Sequence, residues 1–149
     1  MARGAPARNR PTVRIVLDAD VVVSALLWRG APYHLLRAVR SHEDVRFFTS
    51  TVLMAEVLSR PFAAKRLALL NRTALTIIAD FLVAADIVVP SATPRVVIPD
   101  VDDDHVIAAC VAAEADILVS GDRHLLTIGH HLGTRVVTPA AALHLIAIP

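Results

Sequence analysis

The sequence predicts an α/β fold: a single domain with a mainly parallel central sheet of four to five strands and helices on both faces. Three observations predict it. Short apolar, β-branched runs alternate with helical stretches, the pattern of repeated strand–helix–strand units. The chain is 55% hydrophobic with a mean hydropathy of +0.57, an excess that suits strands buried on both faces and helices packed on two sides. Acidic residues gather in four short stations, each placed where a strand would turn into a helix.

The elements follow in order. Residues 13–17 form an apolar run and hence strand one, and 21–27 lead into a first helix that stops near Arg29, Gly30 and Pro32. Residues 32–40 read as a second helix and 46–49 as strand two. Ser50 or Thr51 then offers an N-cap for a helix carrying Val52, Leu53, Glu56, Val57 and Leu58, which Pro61 breaks. Helical stretches are expected over 62–70 and, with Asn71 as cap, over 73–85. Strand three is expected at 87–89, a loop at 90–99, a helix at 102–113, strand four at 117–120 and strand five at 135–137. Thr138 followed by Pro139 gives a cap and an N1 proline for a last helix to about residue 146.

With 149 residues the chain is one domain in size, and no repeat or linker divides it. Residues 1–12 carry Arg3, Arg8 and Arg10 without an acid and read as a disordered basic tail before a domain spanning 13–149. The most apolar stretches are too short for a membrane span or are broken by Asp80 and Asp86. Cys110 is the single cysteine, so no internal disulfide forms, which fits a reducing cytoplasm. Cys110 falls among apolar helix positions and reads as a small buried hydrophobe. The seven histidines lack zinc spacing, and His105 and His124 read as surface or packing residues. No glycine-rich phosphate loop is present, which excludes nucleoside-triphosphate hydrolysis of that type.

The stations carry the functional signal. They are Asp18 and Asp20 in LDAD, Glu56 in MAEVLSRP, the run Asp100, Asp102, Asp103 and Asp104, and Asp122 in VSGDRHLL. Carboxylates at the carboxyl ends of parallel strands point into the crevice where open α/β sheets bind ligands. Several in one crevice repel each other until a hard cation neutralises them, and Mg²⁺ or Mn²⁺ suits oxygen ligation. Each acid also has a plainer reading. Asp20 serves as a cap for the first helix, Glu56 as a solvated face residue, Asp122 as a cap for a turn over 123–126. The aspartate run supplies helix-start charge, although a helix start needs one or two acids and not four. Asp18, ending an apolar strand, is costly unless something satisfies it.

The segments IVLDADVVVSALLWRGAP, TSTVLMAEVLSRP, IPDVDDDHVIAACVAAEADILVSGDRHLL and TRVVTPAAAL resemble the PIN-domain ribonucleases, in particular small bacterial PIN proteins of the VapC-like toxin type. The resemblance runs from about residue 13 to 145 in the family's order. It aligns Asp18 with the first family aspartate, Glu56 with the helical glutamate, and Asp104 with the third acid, Asp103 being the alternative. Asp122 matches the fourth acid, and Ser120 fills the hydroxyl position of the Thr/Ser-x-Asp element. Asp20 departs from the pattern, since many relatives carry Asn there.

What the resemblance implies is metal-assisted hydrolysis of RNA phosphodiester bonds. Asp18, Asp104 and Asp122, with Asp20 and Asp103 as further candidates, would hold Mg²⁺ or Mn²⁺, and Glu56 would act as ligand or water-positioning base. Arg29, Arg60 and Arg123, each close in sequence to a station, are candidate RNA phosphate contacts. The resemblance also implies a homodimer and a small antitoxin protein that blocks the acidic pocket, with no membrane partner. Two other readings remain. LDAD also reproduces the Asp-x-Asp of haloacid-dehalogenase-type phosphatases, but Val21 and Val22 replace their Gly or Thr and Lys65, the only lysine, lies in the wrong region. A PIN fold kept as a weakly catalytic binding module is the other, against which the complete set of acids argues.

Overall fold

The computed structural model describes residues 12–59, 83, 85–91 and 103–147. The expected tail over 1–12, the helices over 62–70 and 73–85, most of the loop over 90–99, and Asp100, Asp102, Arg60 and Lys65 lie outside the described residues, Thr12 and a few positions near residue 85 excepted. Among the described residues the chain runs β1 (Val13–Leu17), α1 (Ala19–Leu27), α2 (Ala31–Ser41), β2 (Val45–Thr49), α3 (Thr51–Ser59) and β3 (Asp86–Ile87). It continues through α4 (Asp104–Ala113), β4 (Ile117–Val119), α5 (Arg123–Ile128), β5 (His130–His131), β6 (Thr134–Val137) and α6 (Pro139–Ala147).

The six strands form one sheet in the order β3-β2-β1-β4-β6-β5. All neighbours pair in parallel except β5 with β6. β1 and β4 are central, and their apolar runs have no solvated face: Ile15, Val16, Leu118 and Val119 are fully buried. From β1 the chain moves outward through β2 to β3, then returns to the other side of β1 as β4. Right-handed crossovers in opposite directions put their helices on opposite faces. In agreement, α2 packs on α1 and α6, whereas α4 packs against β1 and β2.

This topology has one functional consequence. The point where the strand order diverges lies between the carboxyl ends of β1 and β4, the position at which doubly wound sheets open a crevice.

Local chemistry explains most helix boundaries. The Ser50 side chain accepts from the Leu53 backbone N–H (3.1 Å) to start α3, and Thr138 accepts from Ala141 N–H (3.2 Å) ahead of Pro139 to start α6. The first helix corrects an expectation: Asp18, not Asp20, is its N-cap, and the helix begins two residues earlier than the sequence suggests. β3 sits one residue earlier than expected and is only two residues long. β5 is a strand the sequence does not announce. It pairs back onto β6 through Leu132 (φ 47°) and Gly133 (φ 90°), a two-residue hairpin turn that needs positive φ at both positions. Leucine adopts that conformation rarely, so neither hydropathy nor turn propensity marks it.

Candidate functional site

Asp18 follows β1 directly, and its backbone N–H donates to the Val119 carbonyl (3.0 Å), which ties the end of β1 to the end of β4. Its side chain is 6% exposed. Oδ1 accepts from Ala19 N–H (2.8 Å) and Oδ2 from the Ser120 hydroxyl (2.8 Å). Burial raises the Asp18 pKa above the ordinary 3.8, and the charges of Asp20 and Glu56 push the same way against those two hydrogen bonds. The carboxylate is therefore held in place by neutral donors while acids surround it.

Ser120 connects the stations. Completely buried after β4, it donates to Asp18 and accepts from the Asp122 N–H (3.0 Å). Asp122 caps α5, its Oδ1 accepting from His124 N–H (2.7 Å). The capping role and the site role expected for Asp122 thus fall on one side chain.

From the other face, the start of α4 brings up the aspartate run. Potential ligand atoms of Asp103, Asp122 and His124 lie within 4.8 Å of one another. Asp103 is half-buried and precedes α4, whereas Asp104 is the first residue of the helix and 1% exposed. Of the two neighbours that the sequence left as alternatives, Asp103 is the one grouped with Asp122. Glu56 projects from α3, and its Oε1 lies 2.8 Å from His105 Nε2 on α4, so the two helices meet at the crevice through this pair.

The remaining candidates divide. Asp20 stands exposed in the first turn of α1, close enough to act on Asp18 through its charge. Arg123 is exposed at the start of α5. Arg29 lies beyond the far end of α1 and packs on Tyr33, well away from the acids along the helix. His105 and His124, read from sequence as surface or packing residues, both stand at the site. The signal was available in their placement, one residue after Asp104 and two after Asp122. Cys110 is buried, as expected, and its thiol is pushed up to about 12 by burial and then by the Asp18 charge, which excludes thiolate chemistry.

The donor set suits a divalent cation. Carboxylate oxygens with one imidazole nearby can ligate such an ion, and a cation would relieve the mutual repulsion that Asp18 registers. Among the described residues no helix is long and apolar enough to cross a membrane.

No curated protein matches the sequence significantly. A family model described as the PIN domain matches residues 14–124, a span that takes in Asp18, Glu56, Asp103, Asp104 and Asp122, and the chain accordingly belongs to the PIN-domain family, whose members are generally nucleases.

Proposed function

We propose that this protein is a metal-dependent endoribonuclease that hydrolyses RNA phosphodiester bonds. The observation that carries the reading is the gathering of acids from four separate chain segments at the carboxyl ends of β1 and β4: Asp18 against Ser120, Asp103 against Asp122, and Glu56 within electrostatic reach of Asp18.

Asp18, Asp103 or Asp104, and Asp122 would hold Mg²⁺ or Mn²⁺, with Asp20 as an outer candidate. Bound there, the cation supplies Lewis acidity to a phosphoryl oxygen and lowers the pKa of water. Ser120 fixes the Asp18 carboxylate and the Asp122 backbone relative to each other, so both acids keep one geometry through turnover. Glu56 is the candidate base, accepting the proton of the attacking water, and His105 holds its carboxylate in position. Arg123 at the crevice edge is a candidate contact for substrate phosphate, as is Arg60 in the segment after α3.

The finer reading makes the protein the toxin of a toxin–antitoxin pair, a VapC-like enzyme acting in the cytoplasm as a homodimer, its nuclease unit spanning 13–149. The exposed apolar side chains of Val83, Ile87 and Val89 near edge strand β3 suit a protein interface, and the acidic crevice suits an Arg or Lys side chain from a small antitoxin. A phosphatase of the haloacid-dehalogenase type finds no support in the family match, which assigns the LDAD segment to a PIN domain.

The test is cleavage of a mixed panel of single-stranded and structured RNAs with Mn²⁺, Mg²⁺ or EDTA, comparing wild type with Asp18→Asn. Cutting that requires metal and vanishes in the variant is the expected result. A folded wild type that cuts nothing under any metal would leave the fold as a binding module. Growth arrest on induction, relieved by a co-expressed neighbouring gene, is the corresponding test of the toxin role.

A further inference from the structure

Between Asp20 and Glu43 the chain carries no acidic residue but three arginines, Arg29, Arg37 and Arg40, and two histidines. The structure concentrates part of this charge at the corner between α1 and α2. Arg29 and Arg37 flank Tyr33 at four residues on either side, the spacing that brings helix neighbours together. Arg29 Nη1 lies 3.3 Å and Arg37 Nη1 3.5 Å from the same phenol oxygen, with the guanidinium carbons 5.1 and 5.9 Å from the ring centroid. A cavity of about 240 Å³ opens beside them, lined by Tyr33, Leu36, Arg37 and Arg40. At the end of α1, Trp28 is 56% exposed.

Two like charges converging on one neutral oxygen repel each other, and that phenol can satisfy only one or two of the ten guanidinium N–H donors. An anion with several acceptor oxygens relieves both problems, and Arg presents a fork shaped for phosphate. An exposed indole next to such a fork is the other half of a single-strand binding surface, because bases stack on aromatic faces without regard to sequence. The nine residues of α1 put this corner roughly 14 Å along the helix from Asp18. A strand a few nucleotides long is long enough to cover that distance.

We propose that the α1–α2 corner is a docking platform for single-stranded RNA, with Arg29 and Arg37, held by Tyr33, taking backbone phosphate and Trp28 stacking a base. The proposal rests on the ribonuclease reading for the identity of the polymer, and its test is arranged to separate the two. A fluorescein-labelled single-stranded RNA of a dozen nucleotides is titrated with full-length Asp18→Asn protein in EDTA, by anisotropy, over a series of salt concentrations.

Adding Arg29→Ala and Arg37→Ala should weaken binding at least tenfold and lower the slope of log affinity against log salt by about 1.4, the single-strand value for two phosphates. Trp28→Leu should weaken binding at least fivefold with the slope unchanged, since stacking releases no counterions. Thermal melts of each variant separate these effects from misfolding. Affinities within twofold of the parent and an unchanged salt slope in the double-arginine variant would overturn the platform, whether or not wild type cleaves RNA. Binding of a polyglutamate peptide as tight as that of the RNA would overturn the assignment to nucleic acid. Loss of RNA binding in the variants, alongside a wild type that cleaves nothing, would uphold the platform while removing the nuclease reading.

Discussion

The two ends of strands β1 and β4 treat charge in opposite ways. At the amino end, Arg14 N–H donates to the Asp116 carboxylate (2.9 Å), Arg14 Nε donates to the Ala113 carbonyl (2.7 Å), and the guanidinium sits 4.4 Å over the Phe48 ring. The Thr134 hydroxyl closes the seam on the Ala115 carbonyl (2.6 Å). Arg14 and Asp116 each find partners within the fold here. At the carboxyl end four acids gather: Asp18 on the Ser120 hydroxyl and Ala19 N–H, Glu56 beside His105, and Asp103 beside Asp122 and His124. A fold has no structural need to assemble like charges around a buried carboxylate, so the carboxyl end, with its opposite treatment of charge, is where the proposed cation would act.

The sharpest way to break the comparison is Asp18→Asn. It should abolish metal-dependent cleavage yet leave Tm unchanged or higher in EDTA, because the amide keeps an oxygen for Ala19 N–H and can donate to the Ser120 oxygen. A large loss of stability would place Asp18 with Asp116 as a structural acid. The pH dependence has a definite sign. A carboxyl whose folded pKa lies above 3.8 binds more protons in the native than in the unfolded state, so stability falls as pH rises from about 3.8 through the raised value. Metal-free wild type should therefore lose stability relative to Asp18→Asn across that window, as thermal melts in EDTA from pH 4 to 8 would read. A difference that does not vary with pH would mean that Asp18 is not strained.

Next in size is the metal itself. A cation that binds only the folded state at a hundred times its Kd stabilises by about 2.7 kcal/mol. For a chain of this length that corresponds to a rise in Tm of roughly 5–10 °C. Mn²⁺ should produce it in wild type and little of it in Asp18→Asn or Asp103→Asn. An equal rise in all three would mean that the ion binds elsewhere. Asp103→Asn against Asp104→Asn, read by Mn²⁺ titration, also decides which of the two adjacent acids is the ligand.

Ser120→Ala comes third. It removes the hydroxyl that links Asp18 to the Asp122 backbone without touching either carboxylate, and outer-shell partners of this kind are worth roughly tenfold in metal affinity or rate. Ser120→Thr should restore most of it. If both variants match wild type in kcat and Mn²⁺ affinity, the bridge is ornamental.

Most of this contrast was legible in the sequence, and the part that was not has physical causes. β1 and β4 declared themselves as apolar β-branched runs because a strand buried on both faces cannot be otherwise, and the acids stood out against that background. The β5–β6 hairpin was hidden because its turn forces a leucine to positive φ, which no propensity favours. Asp103 and Asp104 could not be separated because adjacent residues at a helix start differ by a turn of about 100° in direction and not by type. His105 and His124 were missed for a related reason: a histidine gains meaning from what lies across from it, here Glu56 and Asp103, and those contacts are long-range.

The smallest effect belongs to the amino end. Asp116→Ala removes the acceptor for Arg14 N–H but leaves the strand ladder, since Asp116 N–H still donates to the Arg14 carbonyl (2.8 Å) and the Asp116 carbonyl still accepts from Arg135 N–H (3.0 Å). Asp116 is exposed, so water replaces much of what is lost, and the cost should be about 0.5–1 kcal/mol in urea unfolding. Asp116→Asn keeps an acceptor oxygen and should recover about half. Neither change should alter kcat or Mn²⁺ affinity per folded molecule, because among the described residues no side-chain hydrogen bond runs from Asp116 to Ser120 or the acids. A fall in metal affinity with Asp116→Ala would mean that the two ends of the sheet are coupled through β4, and that charge at one end helps set the geometry at the other.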